Sequence, residues 1–371
     1  MADERFALGK DETTNFVDLE GHVTLETTTW SEIPHVVAHD PPFLIACLNN
    51  SIEIRTEKMA IQSVDLPKPL LINTIHKKAG VIYVASASHI WCLKMVPISV
   101  QIPRILKEKQ FELALTLTSH ALNFEDKVER LQKIQTLYAF DLFCNMKFKE
   151  AMDVFYKLDV DASHVIGLYH DLFPSEFRNK LSYPDKLPML KGQDLDQGYS
   201  ALVEYLTNVR HKLQGSSLKN INPLALNEGC MTVKSKRQLM QIIDTTLLKC
   251  YLKVNDSLVA SLLRLKNNYC HLEETERALK KAGKFAELII FYNTKELHEK
   301  ALGLLKEQSD IQDSTLYGTA KTVAYLQNLN TDHIDLVCKF AEPVLEKNAE
   351  DGLAIFTEDL LEVENWPRAK V

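Results

Sequence analysis

Apolar positions follow two different periods along the chain. Through the first hundred residues they fall in short alternating or continuous runs: HVTLETTTW, PFLIACL, SIEIRTEK, MAIQSVDL, LLINTI, VIYVAS and HIWCLKMV. Alternation by two places every second side chain on one face of a pleated strand, so these runs predict consecutive strands. Leu48-Asn49-Asn50-Ser51 and Lys78-Ala79-Gly80 supply the Asn and Gly that tight hairpin turns use for positive φ, and Pro41, Pro42, Pro67 and Pro69 punctuate strand ends. Eight or nine short strands make about two four-stranded propeller blades, or a small sandwich. Two blades cannot close a ring and leave sheet edges open, so the propeller reading predicts that the chain is part of a longer protein.

From Arg104 onward the apolar period becomes 3.6. Seven of the thirteen prolines lie at or before Pro103, while Arg104 to Phe173 and Ala225 to Glu342 contain none. A proline ring removes a donor and clashes with the preceding turn, so proline-free stretches of this length predict helices. Val128, Leu131, Ile134, Tyr138 and Leu142 form one stripe, with Leu137, Phe140 and Cys144 on a second. Leu239, Ile243, Leu247 and Tyr251 form another, flanked by Met240, Leu248 and Leu252. Helices apolar on two sides belong inside a stack.

A short phrase recurs in this region: Lys109-Gln110-Phe111 with Ala114, Lys147-Phe148 with Ala151, Lys284-Phe285 with Leu288, and Lys295-Glu296-Leu297 with Ala301. The distance from Phe111 to Phe148 lies within the period of helix-hairpin arrays, where a small residue allows close approach and an aromatic fills the space beside it. Pro174 to Pro188 and Gln214 to Lys236 interrupt the helices with breaker-rich sequence. The expected fold is therefore α+β and multi-domain: a partial β-propeller of about two blades, then an α-solenoid of helix hairpins. The expected divisions are 1–100 for the propeller part, 101–173 for the first hairpins, 174–236 for a helix between irregular connections, and 237–371 for a second helical segment.

Composition narrows the functions open to such a fold. Forty-three Lys and Arg stand against fifty Asp and Glu, a net charge of −7, which argues against nucleic-acid binding through phosphates. Seven cysteines with no C-x-x-C fit neither a disulfide framework nor a structural zinc site, and point to a reducing cytoplasmic compartment. No apolar run approaches the ~18 residues needed to cross a bilayer, so membrane contact is expected to be peripheral.

Phosphate loops, nucleophile elbows, zinc-protease helices, dinucleotide fingerprints and calcium loops are all missing, and no cofactor is expected. His298-Glu299 lacks the second histidine of a metalloprotease helix and reads as a solvated pair. His164, His170 and Asp171 are the best acid–base candidates, but histidines six residues apart sit about 120° apart on a helix. Cys270-His271 suggests a nucleophile pair, yet neighbours on a helix diverge, and a buried Cys beside a helix-end His is the plainer reading. Lys234, Lys236 and Arg237 form a small basic cluster that could meet an acidic partner or an anionic lipid. Trp30 and Trp91 read as core residues.

The junction HIWCLKMVPISVQIPRILKEKQFELAL passes from a last strand through prolines into a helix hairpin, and resembles the end of a citron-homology propeller entering a clathrin-like solenoid. LVEYLTNVRHKL (202–213), IDTTLLKCYL (243–252), LLRLKNNYCHLEETERALKKAGKFAELIIFY (262–292) and LHEKALGLL (297–305) resemble the vacuolar protein sorting-associated protein 39 family, which is related to transforming-growth-factor-β receptor-associated protein. The resemblance implies a non-enzymatic tethering subunit of the homotypic fusion and vacuole protein sorting (HOPS) complex. Its partners would be a late-endosomal Rab GTPase and the class C subunits, and its place the surface of late endosomes, lysosomes or vacuoles. Family members extend further at both ends, with more propeller before the matching stretch and a distal solenoid with a cysteine-rich part after it. A guanine-nucleotide exchange regulator, or another propeller-solenoid coat protein, is the alternative.

Overall fold

A computed structural model describes residues 6–23, 27–40, 42–56, 59–66, 81–85, 89–120, 126–172, 181–215, 236–329 and 331–357. Antiparallel sheets come first and helices follow, an α+β arrangement in which the described strands form no closed barrel. The chain divides into two compact units, Met1–Asp141 and Leu142–Val371.

In the first unit, β1 (Phe6–Lys10), β2 (Thr13–Val17) and β3 (Thr28–Thr29) make one sheet. β4 (Val36–Asp40), β5 (Phe43–Cys47), β6 (Ser51–Arg55) and β7 (Ala60–Asp65) make a four-stranded meander, and β8 (Val81–Ala85) pairs with β9 (Ile90–Lys94). Three of these strands, β1, β2 and β4, lie outside the runs that alternation picks out. β1 is exposed at every residue and is ordered by pairing with β2, from Phe6 with Val17 to Lys10 with Thr13, so its side chains carry no burial pattern.

Strand β5 organises this unit because it is buried on both faces. Leu44, Ala46 and Leu48 pack one way, against Phe16 and Trp30. Phe43, Ile45 and Cys47 pack the other way, with Ile52, Ile82 and Val84, and onward against α1 (Ile98–Lys107), α2 (Phe111–His120) and α3 (Lys127–Cys144) through Ile102, Ile105, Phe111, Leu117 and Ile134. Burying each such side chain contributes about 1.5–3 kcal/mol. A polar link crosses the first face: Glu53 accepts hydrogen bonds from Ser31 N–H (3.1 Å), Ser31 Oγ (2.7 Å) and Arg55 (2.8 Å), and Arg55 lies 5.6 Å from the Trp30 ring centroid. Trp30 is core, its indole N–H donating to Thr14 Oγ1 at 2.8 Å. Trp91 is half-buried beside the second cluster.

The hairpin between β5 and β6 forms where Asn49 and Asn50 stand, but neither takes positive φ. Their side-chain and backbone bonding explains their presence instead: Asn49 bridges His35 and Glu32, and Asn50 O accepts from Leu66 N–H at 2.9 Å. The run LLINTI and the turn Lys78-Ala79-Gly80 lie outside the described residues.

The second unit holds α4 (Phe148–Lys157), α5 (Ala162–Ile166), α6 (Gln193–Gly215), α7 (Lys236–Val254), α8 (Ser257–Arg264), α9 (Leu272–Lys281), α10 (Phe285–Thr294), α11 (His298–Ser309) and α12 (Ala320–Gln327). A 3-10 turn (Thr331–His333), α13 (Ile334–Lys347) and α14 (Ala349–Thr357) complete it. Helix α7 is covered on two sides, as its double stripe predicts, with 243–248 buried without interruption. In α3, by contrast, the stripe starts late, because Val128 is 70% exposed. Pro103 and Pro343 sit inside α1 and α13, so a single proline did not end either helix.

Five junctions among the described residues share one turn. Lys109, Met146, Asp159, Gly283 and Glu296 adopt positive φ between 52° and 68°. Each donates its N–H three residues back, and the next residue donates five residues back: Lys147 to Leu142 O at 2.9 Å, Lys284 to Leu279 O at 3.0 Å, Leu297 to Tyr292 O at 2.9 Å. This is the Schellman closure, which satisfies two orphan carbonyls of the outgoing helix. Four of the turns enter the next helix at once. The carbonyls of Gln110, Lys147, Lys284 and Leu297 accept from Ala114, Ala151, Leu288 and Ala301 at 3.0–3.1 Å, and these four donors are fully buried.

The recurring phrase is therefore the outgoing half of this turn, with one adjustment. Leu297 occupies the cap position held elsewhere by Gln110, Lys147 and Lys284, one residue before the place of Phe111, Phe148 and Phe285. The lysines do not coincide either. Lys109 is itself the positive-φ residue, Lys147 and Lys284 follow it, and Lys295 precedes it. The shared element is the backbone turn.

Candidate functional site

Of the basic cluster, Lys234 lies outside the described residues. Lys236 opens α7 half-buried, and Arg237 follows it, exposed. Lys295, the cap of α10, is set low by burial, and the positive charge of Arg237 pushes its pKa down further against the pull of Cys270 and Asp244. Its Nζ donates to Asn268 O at 2.6 Å. The charges of Arg237 and Lys295, from distant parts of the sequence, thus oppose each other, with Lys295 anchored and Arg237 exposed.

Beneath them lies a buried polar junction. Arg210 of α6 donates from Nε to Asp244 Oδ1 of α7 at 2.7 Å, and Asp244 Oδ2 accepts from Tyr269 N–H at 2.8 Å. Asp244 is fully buried and Arg210 nearly so. Thr245 Oγ1 accepts from His271 N–H at 2.9 Å, and Asn268 Nδ2 donates to the carbonyls of Leu263 and Leu265, both at 2.9 Å. A carboxylate and a guanidinium this deep would be costly alone, and together they fix the irregular segment between α8 and α9 against α6 and α7. Asp244 carried a readable signal, a charge one residue from Ile243 on the apolar face of α7. Arg210 carried none, and Lys295 stands out only as part of the recurring phrase.

The titratable candidates do not assemble into a catalytic group. His164 is buried in α5, where desolvation holds its pKa below the ordinary value despite Asp161, whereas His170 and Asp171 are exposed. Asp171 instead faces Lys253 at 3.6 Å. Burial pushes the Cys270 thiol up to about 12, with the Asp244 charge adding to it, which removes the thiolate a nucleophile needs. His271 caps α9, its Nδ1 accepting from Glu274 N–H at 3.4 Å.

His298 departs from the solvated pair the sequence suggests. Its Nδ1 lies 2.9 Å from Tyr325 OH and its ring 4.5 Å from that of His333, while exposed Glu299 pairs with Lys339 at 2.8 Å. The reason is that a 3-10 turn brings His333 against the start of α11. Among the described residues, no group of three or more His, Cys, Asp or Glu is placed to hold a metal, and no helix is long and apolar enough to cross a membrane.

Among the described residues, then, the candidate groups stand apart on capped helix pairs, and the comparisons with known proteins define the class. Residues 243–345 match the family described as vacuolar sorting protein 39 domain 1, which takes in α7's buried face and the turns at Gly283 and Glu296. The human Vam6/Vps39-like protein is 46% identical over 378 residues, an alignment covering 100% of this chain and 42% of that protein. The Drosophila melanogaster vacuolar protein sorting-associated protein 39 homolog is 40% identical, covering 95% of this chain and 39% of that one. Human transforming growth factor-beta receptor-associated protein 1 is 25% identical, covering 88% and 37%. The chain belongs to the vacuolar protein sorting-associated protein 39 family, and spans less than half the length of these relatives.

Proposed function

We propose that this chain is the propeller-to-solenoid portion of a non-enzymatic tethering subunit that acts in the HOPS complex during fusion of endosomes or autophagosomes with lysosomes or vacuoles. The observation that carries this reading is the 46% identity running the full length of the chain. The four-stranded meander β4–β7 supports a propeller blade, and the packing of other sheets on both faces of β5 supports blades laid side by side. Helices joined by the same two-residue turn support a hairpin stack, in which each pair rests on its neighbours and leaves long faces for partners. The partners in this reading are a late-endosomal Rab GTPase and class C subunits of the complex, and membrane association is peripheral, through them. The exposed Arg237, backed by Lys295, supplies positive charge for an acidic partner surface, with Lys236 and Lys234 beside it in sequence.

The test is capture of purified class C subunits, and of the Rab loaded with GTP or GDP, by the immobilised chain. Retention of a class C subunit, or of the GTP form over the GDP form, supports the proposal. A chain with native helix content that retains neither overturns it. Accelerated release of a fluorescent nucleotide from the Rab would instead make the chain an exchange regulator.

A further inference from the structure

Among the described residues, nothing fills the groove between α13 and α14. It is open, about 490 Å³, and lined by Cys338, Ala341, Glu342, Leu345, Glu346 and Phe356. Gly352 sets the two helices close together, since a Cβ there would stand 2.5 Å from Leu345 Cδ2 and 2.8 Å from Leu345 Cα. The close approach leaves Leu345 37% exposed, and Leu353, one turn before Phe356, 56% exposed.

Charge on α13 is sorted by face. Lys339 turns away from the groove to Glu299 at 2.8 Å, and Lys347 to Asp310 at 2.5 Å, both toward α11. Glu342 and Glu346 line the groove one helical turn apart, and neither has a hydrogen bond or ion pair among the described residues. Lys339 and Lys347 are thus spent elsewhere, and Glu342 and Glu346 border an apolar floor.

We propose that this groove receives an amphipathic helix of a partner protein, with Leu-type side chains on the floor and Lys or Arg one turn apart against Glu342 and Glu346. Helical form follows from the walls. They are side chains of two helices and offer no strand edge, so only a segment that satisfies its own backbone can lie on the apolar floor without losing hydrogen bonds. The positive sign of the flanking residues follows from the two carboxylates, because a like charge set opposite them would be repelled. This proposal rests on the groove alone and stands whether or not the tethering reading does.

The test uses the full chain and two fluorescent helical peptides of about three to four turns, with leucines at i, i+3, i+4 and i+7. One carries lysines beside the leucine stripe, the other glutamates. Anisotropy is expected to show the lysine peptide binding at least about tenfold more tightly, with the preference abolished in E342Q/E346Q and reversed in E342K/E346K. Bound lysine peptide should also slow alkylation of the exposed Cys338, read by peptide mass mapping so that other thiols do not interfere. Equal binding of the two peptides, or a preference that survives both double variants, overturns the proposal. So does a Cys338 that resists alkylation in the unbound chain, which would show the groove covered already.

Discussion

Asp244, at the centre of α7, holds two segments at once: Oδ1 accepts a hydrogen bond from Arg210 Nε–H at 2.7 Å and Oδ2 accepts one from Tyr269 N–H at 2.8 Å. Removing either charge strands the other in the interior. Arg210→Ala and Asp244→Ala are each expected to cost about 3–5 kcal/mol in urea unfolding. The double change Arg210→Met with Asp244→Leu should cost well under the sum, because no charge is then left buried. It should not reach wild-type stability, since Tyr269 N–H loses its acceptor. With Arg210→Met and Asp244→Leu also made singly to complete the double-mutant cycle, additive losses would show that the pair is not coupled as its geometry requires.

The five positive-φ turns make opposite predictions at two positions. Gly283, at φ 68°, has nothing within 4 Å of an added Cβ, so Gly283→Ala reports backbone strain alone and should destabilise by about 1–2 kcal/mol. Glu296, at φ 57°, already bears that strain, and Glu296→Gly should stabilise by up to about 1 kcal/mol after the entropy of the more flexible unfolded chain is subtracted. Chemical denaturation midpoints that move the same way in both variants would contradict the shared turn.

At Gly352 the limit is space. An alanine Cβ would lie 2.6 Å from Leu345 Cγ and 2.8 Å from its Cα, and the backbone atom cannot swing aside. Gly352→Ala should therefore cost about 1–3 kcal/mol and separate α13 from α14, increasing hydrogen exchange in 334–357 while α7 remains protected. Uniform exchange throughout the second unit would argue that the two helices do not depend on this contact.

His164 gives the second unit a predictable response to acid. Desolvation holds its folded pKa below the ordinary value, so as pH falls through the unfolded value of about 6.5 the unfolded chain binds the proton first. Stability from this group is complete above that pH and is lost as pH falls toward the folded pKa. The melting temperature should decline between about pH 7 and pH 5 in the wild type, and His164→Gln should flatten that slope relative to it. Identical slopes in the two proteins would remove His164 as the cause.

Sequence made the change of architecture readable because period and proline content register burial directly. The paired stripes on α7 and the runs that became β5, β6 and β8 are examples. Strand β1 escaped because it buries nothing, and β4 because it is only half-buried along most of its length. The turns escaped in part because four of the five use Lys, Met, Asp and Glu where glycine would advertise positive φ, so nothing in the sequence marks Leu297 as a cap residue. Among the candidate site residues, composition could flag Arg237 but not that its charge is felt at Lys295, since the two are far apart in sequence. A buried charge such as Asp244 is legible as an oddity; its partner, thirty-four positions earlier, is not.

The double-sided packing of β5 bears on how the protein can be dissected. Ile102, Ile105, Phe111 and Leu117 rest on the same side chains as Phe43, Ile45 and Val84. Expression clones that begin just after the last strand would release α1 and α2 with a greasy flank exposed, and such pieces should precipitate or recruit chaperones. Deletion maps that trim the amino terminus step by step will therefore unfold the first helices along with the strands, so a loss of function in such a series reports on folding first.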